Sequence, residues 1–332
     1  MNPSRLMNPS RRRIATAAAL LPLAAIHAPS AIAQDYPSRP VRWIVNYPPG
    51  GTTDVVARMV AQEVGQKLGV SIIIDNKAGA GGVIGMDAAA KAAPDGYTFL
   101  ASDASLATAP SLYRKVPFDP EKDFRAIARF VTVPHVIVVN PKVAAATVAE
   151  FVALSRREPG KLNFSSGGIG SPLHLAGEVF RVASGASWTH VPYKGAGPAI
   201  VAVVAGEADV AAPSAPAALP QIAAGKLRAL AVTSERRMAS LPDVPTLAEA
   251  GVRDATVAGW IGLHAPAGVP DAAATKIEAA VLEVLSAPAL REKLAQQGAD
   301  LVAEPGKVYS QVITKEITRW QQVVKQAGIT PE

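Results

Sequence analysis

Two glycine-rich segments of the chain carry the residue types and the spacing that hold an anion. The first runs Tyr47-Pro48-Pro49-Gly50-Gly51-Thr52-Thr53-Asp54, and the second runs Ser165-Ser166-Gly167-Gly168-Ile169-Gly170-Ser171. Each follows a short run that predicts a strand and precedes a segment with helical periodicity. Glycines let the backbone approach a ligand closely, and a helix N-terminus offers unpaired N–H groups and a partial positive charge. Either segment alone is equally a tight turn, but the pair predicts a cleft that holds a carboxylate.

Other chemistry-bearing patterns are missing from the sequence. The chain has no cysteine, no G-x-S-x-G nucleophile elbow, no phosphate-binding loop and no H-E-x-x-H zinc motif. The run from Gly79 to Gly85 superficially matches a dinucleotide fingerprint, but Ile84 occupies the third glycine position, so a tight turn explains it better. Four histidines lie far apart without H-x-x-x-H spacing, and we expect structural roles for them: His135, His174, His190 and His264. We therefore predict no catalytic residue, no metal site and no cofactor.

The N-terminus predicts export from the cytoplasm. Three arginines, Arg11 to Arg13, precede an apolar run over residues 14–26, and Ala31-Ile32-Ala33 then provides the small residues of a cleavage site. This order is that of a secretory signal peptide over residues 1–33, and the apolar run is shorter than the about 20 residues that span a bilayer. Cleavage after Ala33 would leave a periplasmic protein. Ser10-Arg11-Arg12 also loosely matches a twin-arginine signal, so the export route is left open.

Removal of the signal peptide changes the charge of the protein. Four of the 33 basic residues and none of the 27 acidic residues lie within residues 1–33, so the formal charge falls from +6 to +2. The remaining basic residues are scattered, which argues against nucleic-acid binding. Without cysteines, the exported protein depends on its apolar core, and the 49% hydrophobic content is enough to build one.

Short β-rich runs alternate with helical ones along the rest of the chain. The first strand is predicted over residues 41–46 and the first helix over residues 53–68, closed by Gly69. The capping box Thr147-Val148-Ala149-Glu150 and the pair Ser171-Pro172 predict two further helix starts. This alternation predicts an α/β fold with mainly parallel sheets, arranged as two lobes with a ligand cleft between them.

Over its whole length the sequence resembles the substrate-binding component of tripartite tricarboxylate transporters, the Bug or TctC-type family. Six ordered motifs carry the resemblance: the segment from Tyr47 to Asp54, Ala78-Gly79-Ala80-Gly81-Gly82-Val83-Ile84-Gly85, Pro94-Asp95-Gly96-Tyr97-Thr98, Pro172-Leu173-His174-Leu175-Ala176-Gly177-Glu178, Val191-Pro192-Tyr193-Lys194-Gly195 and Gly225-Lys226-Leu227-Arg228-Ala229-Leu230-Ala231-Val232. The resemblance implies a type II periplasmic-binding-protein-like fold with crossover strands near residues 135–140 and 257–263. Lobe 1 would then comprise residues 34–136 and 257–332, and lobe 2 residues 137–256.

The resemblance also implies which residues contact the ligand, mainly through backbone groups. By position, the family's contacts fall on Tyr47, Gly51, Thr52 and Asp54 in lobe 1, and on Ser166, Gly167, Gly170, Ser171 and His174 in lobe 2. Gly50 and Ser165, from the same two segments, complete the predicted clamp.

This chain departs from the family pattern around the distal part of the pocket. Relatives often carry polar residues where this chain has Ala104, Ser105, Leu106 and Ala109, and an acid and an amide near Ala212 to Ser214. Ser105 and Ser214 are therefore predicted to line a distal part of the site that accepts a less polar group.

These observations predict a periplasmic, monomeric solute-binding protein without enzymatic activity. It would capture a small carboxylate-bearing molecule and deliver it to the membrane subunits of a tripartite transporter. Two alternatives remain at this level: a ligand-loaded sensor that contacts a signalling partner in the membrane, and an exported hydrolase or isomerase. A sensor would use the same closed, liganded state as a transport protein. An enzyme would need a nucleophile beside a base, and the sequence offers no recognisable pair of this kind.

Overall fold

The computed structural model describes residues 36–331, except Gly170, Lys194 and Ala327. The predicted signal peptide and its cleavage site after Ala33 therefore lie outside the described residues. Among the helices that are described, none combines the length and the apolar character needed to cross a membrane.

Two sheets, one in each lobe, organise the described part of the chain. The strands are β1 (Val41–Val45), β2 (Ile72–Asn76), β3 (Thr98–Asp103), β4 (Phe124–Pro134), β5 (Val136–Val139), β6 (Asn163–Ser166), β7 (Thr189–Pro192), β8 (Val210–Ala211), β9 (Arg228–Val232), β10 (Ala258–Pro266) and β11 (Asp300–Pro305). The helices are α1 (Thr52–Leu68), α2 (Val83–Ala90), α3 (Ser105–Leu112), α4 (Val148–Arg157), α5 (Pro172–Ser184), α6 (Ala196–Ala205), α7 (Ala215–Ala223), α8 (Asp271–Leu285), α9 (Pro288–Gln296) and α10 (Gly306–Gln326). The six-stranded sheet of lobe 1 has the order β11-β4-β10-β3-β1-β2, and the five-stranded sheet of lobe 2 has the order β7-β6-β8-β5-β9.

Both sheets are mixed, which corrects the expectation of mainly parallel sheets. β2, β1 and β3 run parallel to one another, as do β7, β6 and β8. β10 is antiparallel to β3 and β4, β11 is antiparallel to β4, and β5 is antiparallel to β8 and β9. The parallel strands belong to strand–helix–strand units. The antiparallel strands include β4, β5 and β10, on which the chain crosses between the lobes.

Local sequence signals account for where several helices begin and end. At the start of α4, the Thr147 hydroxyl accepts a hydrogen bond from the Glu150 N–H at 3.2 Å, and the Glu150 carboxylate accepts one from the Thr147 N–H at 3.3 Å. At the start of α5, the Ser171 hydroxyl accepts a hydrogen bond from the His174 N–H at 3.3 Å. Gly69 follows the last residue of α1 as its C-cap, and its φ of 67° is the left-handed conformation that favours glycine. These three predictions are confirmed.

Buried apolar side chains form a separate core in each lobe. In lobe 1, Trp43 and Ile44 are neighbours on β1 but belong to different clusters, because successive strand residues point to opposite faces of the sheet. Phe164 lies in the single large cluster of lobe 2. Helices cover both faces of each sheet, so the lobes are three-layered α/β units.

The last helix, α10, belongs to both cores. Tyr309 and Ile313, near its start, pack in the lobe 1 cluster that contains Trp260. Trp320 and Val324, farther along the same helix, pack in the cluster of lobe 2. A single helix therefore joins the two lobes in addition to the crossover strands.

Thr233 links the two crossover segments. Its hydroxyl accepts a hydrogen bond from the His135 N–H at 2.8 Å and contacts the Val257 carbonyl oxygen. The Thr233 N–H donates to the His135 carbonyl at 2.9 Å, and the Val257 N–H donates to the Thr233 carbonyl at 2.9 Å. Because Thr233 is fully buried, these bonds tie the start of β5 to the segment that leads into β10 without competition from water.

Thr233→Val is expected to lower the free energy of unfolding by about 1–3 kcal/mol, because the buried His135 N–H would lose its acceptor. Urea denaturation at neutral pH measures this change. Thr233→Ser keeps the hydroxyl and serves as the matched control, with an expected cost of about 1 kcal/mol for the lost methyl group. Because valine keeps the methyl group, a cost of Thr233→Val no larger than that of Thr233→Ser would contradict a stabilising role of the hydroxyl.

Candidate functional site

A cavity of about 480 Å³ lies between the lobes and takes its walls from both. Lobe 1 contributes the loop before α1 and the segment before α3, whereas lobe 2 contributes the loops before α5 and α6 and the start of α7. The crossover residues His135 and Val257 also line the cavity, together with Trp260 and Trp320. Its volume is within the range of about 300–1,000 Å³ that is typical of small-molecule sites.

Five helices begin at this cavity. The residues at their N-termini that line it are Gly51 and Thr52 of α1, Ala104 and Ser105 of α3, Ser171 and Pro172 of α5, Gly195 and Ala196 of α6, and Ser214 of α7. The first turn of each helix has N–H groups without helical partners and a partial positive charge. Among the described residues that line the cavity there is no Lys or Arg. The geometry therefore suits an anion held by backbone donors rather than by an ion pair.

Asp54 fixes the conformation of the glycine-rich loop in lobe 1. Its carboxylate accepts hydrogen bonds from the Gly50 N–H, the Arg58 guanidinium and the Asn76 amide, each at 2.9 Å. The Asn76 amide also donates to the Tyr47 carbonyl at 2.9 Å. Burial acts to raise the pKa of Asp54, but these hydrogen bonds outweigh burial and hold the pKa below its ordinary value. The Asp54 carboxylate therefore binds groups of lobe 1 and stabilises the glycine-rich loop, and it is not part of the described cavity lining.

Two buried serines stabilise the glycine-rich loop of lobe 2. The Ser165 hydroxyl donates to the Ala199 carbonyl at 2.9 Å, which joins β6 to α6. The Ser166 hydroxyl accepts from the Gly168 N–H at 3.1 Å and lies 2.6 Å from Nε2 of His190. The loop that follows is therefore held from its buried side by β6 and β7.

His174 lies behind the same loop, at a second cavity of about 470 Å³ on lobe 2. Its ring stacks on that of His190, with the ring centroids 4.2 Å apart. Burial first, and then the neighbouring charges of His190 and Arg181, lower the pKa of His174 to about 4. The imidazole of His174 is therefore neutral at neutral pH. His174 lines this second cavity and is not among the described lining of the cavity between the lobes.

Seven of the residues predicted for the site come together around the cavity between the lobes: Tyr47, Gly51, Thr52, Ser105, Gly167, Ser171 and Ser214. Five others are not part of the described lining and lie behind it or beside it: Gly50, Asp54, Ser165, Ser166 and His174. Gly170 lies outside the described residues.

The sequence analysis did not single out Asp103, which also lines the cavity. Its carboxylate accepts hydrogen bonds from the Ser105 N–H at 3.0 Å and the Ser105 hydroxyl at 2.5 Å. Burial raises the pKa of Asp103 above its ordinary value. Asp103 is the last residue of β3 and lies just before α3, at the same kind of strand-to-helix junction that the two glycine-rich loops occupy.

The floor of the cavity is mostly apolar. Val133, Val257, Ile261 and Trp320 line it beside His135. Burial lowers the pKa of His135 to about 4, so its imidazole is neutral at neutral pH. No group of His, Asp and Glu side chains in the described parts of the chain has the arrangement of a metal site.

Two α/β lobes around a cleft that carries helix N-termini and an apolar floor define a two-lobed solute-binding protein. Residues 56–329 match the family described as the tripartite tricarboxylate transporter family receptor, and the chain belongs to this family. It is therefore a receptor that serves a membrane transporter, in a family of binding proteins rather than of enzymes.

Similar proteins support this assignment over nearly the whole chain. The protein BugT of Bordetella pertussis is 38% identical over 331 residues, which cover 99% of each chain. A solved periplasmic transporter structure is 38% identical, with a TM-score of 0.79, and the match covers 89% of this chain and 99% of that one. Rpa4515 of R. palustris, solved with adipate, is 33% identical with a TM-score of 0.81, and the match covers 90% of this chain and 100% of that one. The first two features predicted from the resemblance, the family and the two-lobed fold, are confirmed.

Proposed function

We propose that this protein captures a small organic molecule by a carboxylate group in the periplasm and delivers it to the membrane subunits of a tripartite tricarboxylate-type transporter. The main observation in favour of a carboxylate ligand is that five helix N-termini converge on one cavity, whose described lining contains no Lys or Arg. The relative solved with adipate, a carboxylate, supports the same ligand class.

The proposed contacts divide into two groups with different tasks. Tyr47, Gly51, Thr52, Gly167 and Ser171 hold the carboxylate, together with Gly170. Ser105 and Ser214 contact the rest of the ligand above the apolar floor. A second group keeps the two loops in place from behind: Gly50, Asp54, Ser165, Ser166 and His174.

The remaining parts of the proposal concern the state in which the protein works. We take residues 1–33 as a cleaved signal peptide, residues 34–136 and 257–332 as lobe 1, and residues 137–256 as lobe 2. The sheet to which each strand belongs supports this division, although the end of α10 packs in the core of lobe 2. The protein is proposed to act as a monomer, with no nucleic acid as partner.

A thermal-shift screen of carboxylic acids, each paired with its primary amide, tests whether the ligand is bound through a carboxylate group. The true ligand is expected to raise the melting temperature, because at about 100 times its Kd a ligand adds about 2.7 kcal/mol to the free energy of unfolding. The matched amide is expected to bind far more weakly, since helix N-termini stabilise a negative charge and not a neutral group. An amide that binds as tightly as its acid would contradict the carboxylate clamp.

A further inference from the structure

The cavity between the lobes has one acidic side chain among its described lining residues, that of Asp103. It is half-buried, and no described Lys or Arg lines the cavity to neutralise it. Its raised pKa has burial as the main cause, whereas a cation at close range would have lowered the pKa. Asp103 thus places a carboxyl group without a neighbouring Lys or Arg in the described lining of a cleft that is otherwise suited to bind anions, and burial makes its ionisation more costly.

The strand register places Asp103 beside the loop that is proposed to hold the carboxylate. β1 and β3 are parallel neighbours, with Val45 opposite Ala101. Two residues farther along the chain come Tyr47, just beyond the end of β1, and Asp103, the last residue of β3, and both line the cavity. A ligand held at this loop therefore has Asp103 within reach of its other polar groups.

Asp103 also has a local structural role that has to be separated from its charge. One of its oxygens accepts the hydrogen bonds from the N–H and the hydroxyl of Ser105 at the start of α3. This cap needs an acceptor oxygen, which an asparagine provides as well. The negative charge is not needed for it.

We propose that Asp103 determines ligand specificity: it restricts the ligand to one carboxylate and favours a hydroxyl or ammonium group elsewhere in the molecule. The inference rests on the proposed carboxylate-binding function and narrows its substrate class. A second carboxylate in a cleft of this size lies close to the Asp103 charge, and like charges out of water disfavour each other. A hydroxyl or ammonium group donates a hydrogen bond to Asp103 instead.

Two matched series of acids test the proposal by calorimetry at neutral pH. One consists of adipate, 6-hydroxyhexanoate and 6-aminohexanoate, and the other of succinate, 4-hydroxybutyrate and 4-aminobutyrate. Within a series the number of carbon atoms and the first carboxylate are the same, and the far group changes from an anionic carboxylate to a neutral hydroxyl and a cationic ammonium group. The protein with Asp103 is expected to bind the hydroxy and amino acids of at least one series about tenfold or more tightly than the diacid.

Asp103→Asn keeps the acceptor for Ser105 and removes the charge, so it is expected to reduce that preference to about threefold or less. The exposed Asp243→Asn is the matched control, and its preference is expected to equal that of the unmodified protein. A diacid that binds more tightly than its counterparts, a preference that survives in Asp103→Asn, or no ranking by charge in either series overturns the proposal. Failure of the carboxylate function itself has a different signature, because an acid and its amide would then bind equally.

Discussion

Gly167→Ala is expected to weaken binding of the tightest acid by about 10- to 100-fold, because overpacking costs about 1–3 kcal/mol where nothing flexible can move. A Cβ atom at Gly167 would lie 2.9 Å from the Ala196 nitrogen and 3.0 Å from the Gly195 carbonyl carbon. Both atoms are backbone, so the loop before α5 or the start of α6 must shift. Both of these segments line the cavity. Calorimetry with the acid gives the change in Kd.

Gly51→Ala is the matched control in the other loop. Gly51 has a φ of −73° and a ψ of 163°, a conformation open to any residue, and its Cβ would lie 3.6 Å from the nearest atom, the Pro48 carbonyl oxygen. The melting temperature of this variant is therefore expected to stay at or slightly above that of the unmodified protein. Its affinity is expected to fall less than that of Gly167→Ala. The reverse order of the two affinities would contradict the assignment of the close backbone approach to Gly167.

Acid is expected to destabilise the protein strongly between pH 6.5 and pH 4. Burial lowers the pKa of His135 to about 4 and of His264 to about 3, from an ordinary value of 6.5. Within this window the unfolded chain binds more protons than the folded one, so the free energy of unfolding falls as the pH falls. Each histidine contributes a slope of up to about 1.4 kcal/mol per pH unit. Protonation of Asp103 and Asp300, whose pKa burial raises, opposes part of this loss.

Urea denaturation at pH 7 and pH 5 measures the loss. His135→Gln removes one of the histidines whose pKa burial lowers and keeps the backbone hydrogen bonds to Thr233, so about half of the slope that His135 and His264 contribute together is expected to disappear. A free energy of unfolding that is the same at pH 7 and pH 5 would show that the buried imidazoles are hydrated or already charged in the folded protein.

The residues with local signals were the ones that sequence reasoning placed correctly. Gly69, Ser171 and the pair Thr147 and Glu150 act on atoms within four residues of themselves, so their positions in the sequence were enough. The two glycine-rich loops were placed for the same reason, since each joins a strand to the helix that follows directly.

Long-range placement was not available from one sequence. β11 pairs with β4 across Leu301 and Val131, about half the chain apart, and nothing in either segment encodes that pairing. Asp103 was missed because its place in the cavity, among described lining residues that include no Lys or Arg, is visible only once the lobes are packed. The tasks of Ser165 and Asp54 also depend on partners from other elements, namely Ala199 of α6 and Asn76 of β2.

The shared helix α10 has a consequence for the order in which this protein becomes folded. The end of the chain supplies Tyr309 and Ile313 to one core and Trp320 and Val324 to the other. Synthesis delivers these residues after all the other described strands and helices, so neither core is complete before α10 has been made. Both lobes keep apolar surface exposed until α10 packs against them. Completion of the two cores is in this way coupled to a single event, the docking of α10.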